Sequence, residues 1–398
     1  MNILTIGNAS SPHILGRAKA FIRAGSCNKI LTEQFFEDPD IEIISPFEDF
    51  TGNSAWKRPL CFLKNIIKAI KIVRAEDYDM LHIYFASHYL TWVASFVSSK
   101  PIILIVMGGD VLFEQHQYVS WYQRLLVKKS LIRADLVIAK SPYIEERAKI
   151  LCHGKINIVN CIFGVNNIFF EKMHNKNHST LKFISSRPVN SFYNLDKILD
   201  VIHHLNKKEY SVELNILCFY PNEKYLDFLK NKVRELKLGT KVHFLPGVCT
   251  PDELIPLYRF ANFVIALPSS DGIPQSALEG MAQGCINILP QNVAYKNIFN
   301  SQNSILVTGD AEQIAQQIAE KISANKLAEI TYAARKFVEN HGHLDKNIKQ
   351  LMKLFKKIIE HQKYKDHFLH KINVMVLLSV YFFDQFFLLG IRNKFVRK

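Results

Sequence analysis

Residues 2–7 read NILTIG, a short apolar run closed by glycine and followed by the polar stretch NASSPH. A helical period takes over from about Ile14 to Ala24, so the chain opens as strand, loop, helix. Apolar runs of strand length return at 41–45 (IEIIS), 80–84 (MLHIY), 102–107 (IILIVM), 136–140 (LVIAK) and 156–160 (INIVN). Helical stretches separate most of them. Strands that alternate with helices predict a parallel sheet covered on both faces.

The segment EKMHNKNHST (171–180) is polar, carries no period and reads as a linker. The pattern then restarts. Strands are expected at 181–186, 212–219, 241–245, 263–268, 286–290 and 304–308, and helices at 193–206, 223–237, 251–260, 274–283 and 311–323. The fold class is therefore α/β, with two Rossmann-like domains in tandem at 1–170 and 181–343. A cleft is expected at their facing strand ends, because ligands of open parallel sheets bind outside the carboxyl ends of the strands. A helix at 344–362 is expected to return toward the N-terminal domain. Residues 363–398 form a basic and apolar tail.

Composition adds a partner class. The 398 residues are 48% apolar and 22% charged, ordinary for full globular cores, and the net charge is +14. That excess of base implies an anionic partner: nucleic acid, nucleotide or membrane surface. The seven cysteines are scattered without a Cys-x-x-Cys pair, which suits a reducing cytosol rather than a disulfide framework or a zinc site. The opening residues lack a basic n-region and a long apolar stretch, so they read as a strand and not as a signal peptide.

The chemistry concentrates in PSSDGIPQSALEGMAQG (268–284). A buried strand delivers the loop, Pro274 suits a first helical turn, and Gly284 suits a left-handed stop. The helix between them offers unpaired amides and a partial positive charge at its start, which is a phosphate site. Gly272 has no side chain to keep an anion from the backbone. Side chains lean toward a helix's N-terminus, so the Glu279 carboxylate can accept hydrogen bonds from a ribose diol, with Asp271 facing the group beyond the phosphates.

The same segment resembles the signature of retaining GT-B glycosyltransferases with a Glu-x7-Glu motif, with Asp271 in place of the first Glu. The form S-x-D-G-x-P…L-E-x-M-A-x-G is similar to transferases that build bacterial surface polysaccharides. Further matches lie in NASSPHILGRAKAFIRAG, IILIVMGGDVL, RADLVIAKS, IVNCIFGVNNIFF and ELIPLYRFANFVIALPSS, so the resemblance spans about residues 1–345. It implies a GT-B fold and transfer of a sugar, with retention, from a nucleotide-diphosphate sugar to an acceptor hydroxyl. A lipid-linked glycan for O-antigen, capsule or lipopolysaccharide would be the acceptor. It makes Arg187 the phosphate-binding base, joined by Asn194 and the corner Asp271, Gly272, Ile273, Pro274 and Gln275, with Glu279 on the ribose. Gly7, Ser10 and Ser11 would close over the phosphates. Asp110 becomes a contact to acceptor or donor sugar, and His13 either faces the acceptor or caps its helix. The family's Lys after the Arg is replaced by FYNLD, and its role does not pass to Lys197. No covalent nucleophile, cofactor or metal is expected.

The stretch CFLKNIIKAIKIVRAED (61–77) sets Lys64, Lys68, Lys71 and Arg74 beside an apolar face. It is either a Rossmann helix with a solvated basic side or a patch for anionic lipid. Residues 372–391 are long enough to span a bilayer, but Asn373, Asp384 and Gln385 fall on one side of that helix. An in-plane amphipathic helix is expected, with Phe382, Phe383, Phe386 and Phe387 in the apolar boundary and the protein peripheral on the cytoplasmic face. Alternatives are a helix packed on the domain, a nucleotide-sugar epimerase of the same fold and a non-catalytic nucleotide-sugar scaffold. Nucleic-acid-binding motifs are missing, and IGNASSPH lacks the Gly-x-Gly-x-x-Gly of a dinucleotide oxidoreductase.

Overall fold

The computed structural model describes residues 1–49, 57–113, 119–171, 176, 179–219, 221–247, 250–269 and 271–361. The chain forms two compact units: Met1–Cys161 with the chain from Ile348 onward, and Ile162–Asn347.

The first unit is a seven-stranded parallel sheet in the order β3-β2-β1-β4-β5-β6-β7. The strands are β1 (Asn2–Ile6), β2 (Cys27–Leu31), β3 (Glu42–Ile44), β4 (Met80–Tyr84), β5 (Ile102–Val106), β6 (Leu136–Ala139) and β7 (Ile158–Asn160). Helices α1 (Pro12–Arg23), α2 (Lys57–Ala75), α3 (Tyr89–Val97), α4 (Trp121–Arg133) and α5 (Pro142–Leu151) alternate with them. Leu4, Ile6, Leu81, Ile83, Leu104 and Val106 form one core with Phe62, Trp92 and Leu126. Phe21 of α1 meets the strand residue His82 edge-on at 4.9 Å and stacks on Phe355 at 5.7 Å.

The second unit is a six-stranded parallel sheet in the order β10-β9-β8-β11-β12-β13. Its strands are β8 (Leu181–Ser185), β9 (Val212–Cys218), β10 (Val242–Pro246), β11 (Phe263–Ile265), β12 (Ile286–Pro290) and β13 (Ser304–Val307). Helices α6 (Leu195–Lys207), α7 (Glu223–Glu235), α8 (Pro251–Phe260), α9 (Gln275–Ala282), α10 (Ala311–Ser323) and α11 (Leu327–His341) surround it. The last helix among the described residues, α12 (Leu344–Glu360), begins in this unit and ends in the first, where Ile348, Leu351, Met352 and Phe355 are buried.

Four expectations need correction. Strand β2 carries Asn28 and Lys29 among its five residues and escaped the apolar pattern. Asn28 Oδ1 accepts from the Thr5 hydroxyl at 2.9 Å, and Lys29 pairs with Glu42 and Glu76, each at 3.0 Å, so the sheet gives both residues a partner, although Asn28 Nδ2 has none among the described residues. Helix α11 was not anticipated. Pro274 is the residue before α9 rather than its first turn. The units divide at Cys161, not in the polar stretch 171–180. Phe163, Val165 and Phe169 are buried, and Val165 pairs with His343 inside the second unit. Gly164 makes that pairing possible: its φ is +89°, and a Cβ there would lie 2.2 Å from the Gly342 carbonyl oxygen. The tail call on 363–398, with Phe382, Phe383, Phe386 and Phe387, lies outside the described residues.

Candidate active site

In the second unit the strand order reverses between β8 and β11. A crevice opens at such a switch point because the chains leaving the two strands turn to opposite sides. Arg187 follows β8, and the loop 266–274 follows β11. The two meet there: Arg187 Nη2 donates to Asp271 Oδ2 at 2.8 Å. The guanidinium lies over the Tyr193 ring, 4.5 Å from its centroid. Burial pulls the Arg187 pKa down, but Asp271, Tyr193 and Tyr295 together outweigh it, and the net direction is up. The cation is thus largely buried, charged and only partly engaged, since its Nε has no hydrogen-bond partner among the described residues.

Helix α9 is aimed at this corner by tight packing. A Cβ on Gly280 would stand 2.4 Å from Val264 Cγ2, so only glycine lets the helix lie against β11. Asn287 Nδ2 donates to the Ala277 carbonyl at 3.1 Å and ties the same helix to β12. Gly284, at φ +72°, provides the left-handed stop. At the helix start Gly272, Ile273 and Pro274 are buried, while Asp271 and Gln275 are partly exposed. The Ser276 hydroxyl is buried and has no hydrogen-bond partner among the described residues. Gln275 Nε2 donates to the Gly164 carbonyl at 2.8 Å.

Glu279 is one turn further on and only 8% exposed. Tyr258 donates its hydroxyl to Glu279 Oε2 at 3.0 Å, and the same hydroxyl lies 2.9 Å from Ser186 Oγ. Burial pushes the Glu279 pKa to about 7, against hydrogen bonds from Tyr258 and Gln275 that pull it down. Tyr295 completes the corner beside Asp271 and Arg187; burial and the nearby carboxylate push its hydroxyl pKa up.

Asn194 has φ +49° and precedes α6; its Nδ2 donates to the Leu267 carbonyl at 2.8 Å and to Ser269 Oγ at 3.2 Å. It fastens the β11 loop. Lys197 donates instead to the Gly309 carbonyl at 2.7 Å. Tyr193, Tyr258, Ser186 and Tyr295 were not anticipated as site residues. The only signal for Tyr193 was its place in FYNLD, where a lysine is usual; the others read as core or loop.

Gly7, Ser10, Ser11, His13 and Asp110 belong to the first unit. A Cβ on Gly7 would meet Ile14 Cδ1 at 2.9 Å and Tyr84 Cβ at 3.3 Å. Ser10 is committed to Asn8 Oδ1 through its N–H at 3.0 Å and its hydroxyl at 2.7 Å. Ser11 precedes α1 without capping it by its side chain, and His13 is exposed on the first turn. Asp110 is fully buried. Its carboxylate accepts from the N–H groups of Ala86 at 2.8 Å, Gly108 at 2.9 Å and Met107 at 3.0 Å. It is a loop organiser, with its oxygens turned inward.

Among the described residues no group of three or more His, Cys, Asp or Glu side chains is placed to hold a metal ion. The Asp-Pro-Asp turn pairs with Lys19, at 3.0 Å from Asp38 and 2.8 Å from Asp40. Lys68 reaches Glu48 at 3.2 Å, and Lys64 and Lys71 are exposed.

Two parallel Rossmann-like units of this topology define the GT-B class, and solved structures agree. A glycosyltransferase from Rickettsia africae ESF-5 superposes with a TM-score of 0.70 at 16% identity, over 91% of this chain and 99% of its own. Sucrose-phosphate synthase from Thermosynechococcus elongatus gives 0.72 at 16% identity, over 91% and 100%. Anabaena HepE in complex with UDP gives 0.68 at 16% identity, over 90% and 100%. No curated protein sequence matches significantly. Residues 2–141 match the family model Glycosyl transferase 4-like, and residues 166–337 match Glycosyl transferases group 1. The protein is a glycosyltransferase, with one region that matches each of these two family models.

Proposed function

We propose that the Arg187–α9 corner holds the diphosphate of a nucleotide-sugar donor. The observation that carries this reading is the largely buried Arg187 itself: a cation seated on Tyr193, half-committed to Asp271, with Nε unpartnered among the described residues beside a helix start. A phosphate oxygen supplies the acceptor that Nε lacks, and the first amides of α9 with Ser276 supply further donors. As the bond between sugar and diphosphate breaks, negative charge grows on the leaving oxygens. Arg187 and the N–H groups of Gly272, Ile273 and Gln275 are fixed where that charge appears, which is preorganised stabilisation. Glu279 accepts from the ribose hydroxyls, and Asp271 faces the sugar. The sugar passes to an acceptor hydroxyl with retention, on a lipid-linked glycan of a surface polysaccharide.

Helix α2 supports the membrane side of this reading. Leu60 is 57% exposed, Leu63 48% and Ile67 45%, spaced at three and four residues along one helix face with Lys64, Lys71 and Arg74. Anionic lipid matches both the apolar stripe and its charge. Among the described residues no helix is long and apolar enough to cross a membrane.

UDP is the first nucleotide to test, since HepE was solved with it. GDP, ADP and dTDP follow, each in a thermal shift with and without chelator. One of them raises the melting temperature of the wild type; at 100 times its Kd the gain is about 2.7 kcal/mol. Arg187→Ala and Glu279→Ala each abolish the rise. An undiminished rise in both variants refutes the site.

A further inference from the structure

Arg187 meets Asp271 through one edge of its guanidinium. That group is planar, and Nε and Nη2 share an edge of its rigid fork. Nη2 donates to Asp271 Oδ2 at 2.8 Å, while Nε has no hydrogen-bond partner among the described residues. A phosphate that takes Nε alone gains one bond. The paired bonds that make arginine a strong phosphate ligand need Nη2 as well, and Asp271 already sits there. Side-chain exposure is 12% for Arg187 and 16% for Asp271, so little water screens the two charges from each other or from a third. The charges of the pair cancel. Tyr193 and Tyr295 add none: burial pushes both hydroxyls above their usual range, which keeps them neutral at neutral pH. Lys197, the other base of this segment, donates to the Gly309 carbonyl at 2.7 Å.

The carboxylate has little room to withdraw. Before it, Asn194 Nδ2 donates to the Leu267 carbonyl at 2.8 Å and to Ser269 Oγ at 3.2 Å, and the Ser269 N–H donates to the Phe192 carbonyl at 3.3 Å. After it, Gly272, Ile273 and Pro274 are buried. Asp271 therefore stays beside whatever Arg187 binds. Two ligands of this corner differ in what they offer it. A nucleotide-diphosphate sugar is esterified at its outer phosphate and carries sugar hydroxyls that can donate to a carboxylate. The free nucleotide diphosphate has lost those hydroxyls, and its outer phosphate ionises a second time with a pKa of about 6. Above that pH the product brings Asp271 an added negative charge and no sugar hydroxyl.

We propose that Asp271 sorts substrate from product: it accepts a hydroxyl of the attached sugar, and once the sugar has gone it competes with the nucleotide diphosphate for Arg187 and drives it out. This rests on the reading of the corner as the donor site. It gives Asp271 a part in product release, a step that sets the turnover rate of many enzymes. It also reverses the usual expectation for a binding-site residue, because loss of the carboxylate tightens one ligand.

The test is isothermal titration calorimetry on the full chain with UDP, GDP, ADP and dTDP, each beside its glucose ester, well above the second phosphate pKa. Asp271→Asn removes the charge and keeps the shape; Asp271→Ser removes the charge with a smaller side chain and serves if the first variant does not fold. In either variant the diphosphate that the wild type binds is held at least fivefold tighter, while its glucose ester gains less than twofold. A merely structural role predicts the opposite, since a disturbed corner loses affinity for both. Unchanged or weaker diphosphate binding overturns the proposal, and so does an ester that gains as much as the diphosphate. Either result, with a nucleotide still bound, leaves the donor site standing and removes the sorting from Asp271. If neither the wild type nor a variant binds any of the nucleotides, the donor reading itself fails and this inference falls with it.

Discussion

Glu279 is a carboxyl group that burial has made a weak acid, and its titration is measurable. Its pKa is about 7 in the folded protein against an ordinary 4.5. A raised folded value means that the native state prefers the proton. The associated stability is fully present below pH 4.5 and is lost as pH rises to about 7. The loss is about 3 kcal/mol at most by linkage. In Glu279→Gln this component disappears. Between pH 5 and 8 the nucleotide-free wild type therefore loses melting temperature relative to the variant, and parallel curves would show that burial does not control the group. At this scale the sequence was informative where motif and geometry coincide: Arg187, Asp271 and Glu279 converge on one corner or its helix. Tyr193 and Tyr258 were illegible, because an aromatic residue beside a helix reads as core until the cation over its ring or the carboxylate on its hydroxyl is seen. Asp110 was expected as a ligand contact from its place after two glycines; the structure adds that its carboxylate accepts from three backbone N–H groups, which the sequence does not show.

An element is positioned by what it can approach. Helix α9 lies against β11 only because residue 280 lacks a Cβ, so Gly280→Ala must push Val264 or the helix away. Overpacking of this kind costs about 1–3 kcal/mol. The variant melts lower than the wild type and binds the nucleotide more weakly, since the helix start moves with the helix; a normal melting temperature would mean that the contact is slack. Helix α2 shows how periodicity can mislead. One apolar face was expected on Leu63, Ile66, Ile67, Ile70 and Val73. The structure splits it: Ile66 and Val73 are buried with Phe62 and Ala69, while Leu63 and Ile67 turn outward with Leu60. Leu63→Asp with Ile67→Asp should reduce co-sedimentation with anionic vesicles and leave melting within about 0.5 kcal/mol, the range of ordinary surface changes. Equal sedimentation would assign the stripe to another role. Elements with clean apolar runs, such as β4, β5 and β12, were legible, whereas β2 was hidden because its polar residues find their partners only after the sheet has formed.

For the whole molecule, the alternation of strands and helices was enough to foresee two α/β units, yet not where the chain passes between them. Polarity marked 171–180 as the joint. The structure places the division ten residues earlier, because Phe163, Val165 and Phe169 bury themselves in the second unit. Composition has no means of showing which side of a joint an apolar residue will choose. The return of α12 to the first unit makes a truncation experiment decisive. Ile348, Leu351, Met352 and Phe355 are buried there, and each contributes about 1.5–3 kcal/mol of apolar burial. A chain ending at residue 361 keeps all four and should match the full protein in melting temperature and nucleotide shift. A chain ending at 343 loses all four and should melt far lower. If the tail is the second membrane attachment, the chain ending at 361 retains only the α2 stripe. A single weak attachment binds reversibly, and two together are needed for stable association. Its vesicle sedimentation should fall at least tenfold, about 1.4 kcal/mol. Undiminished sedimentation of that chain, with the α2 stripe intact, would remove the tail from the membrane contact and leave α2 to carry it.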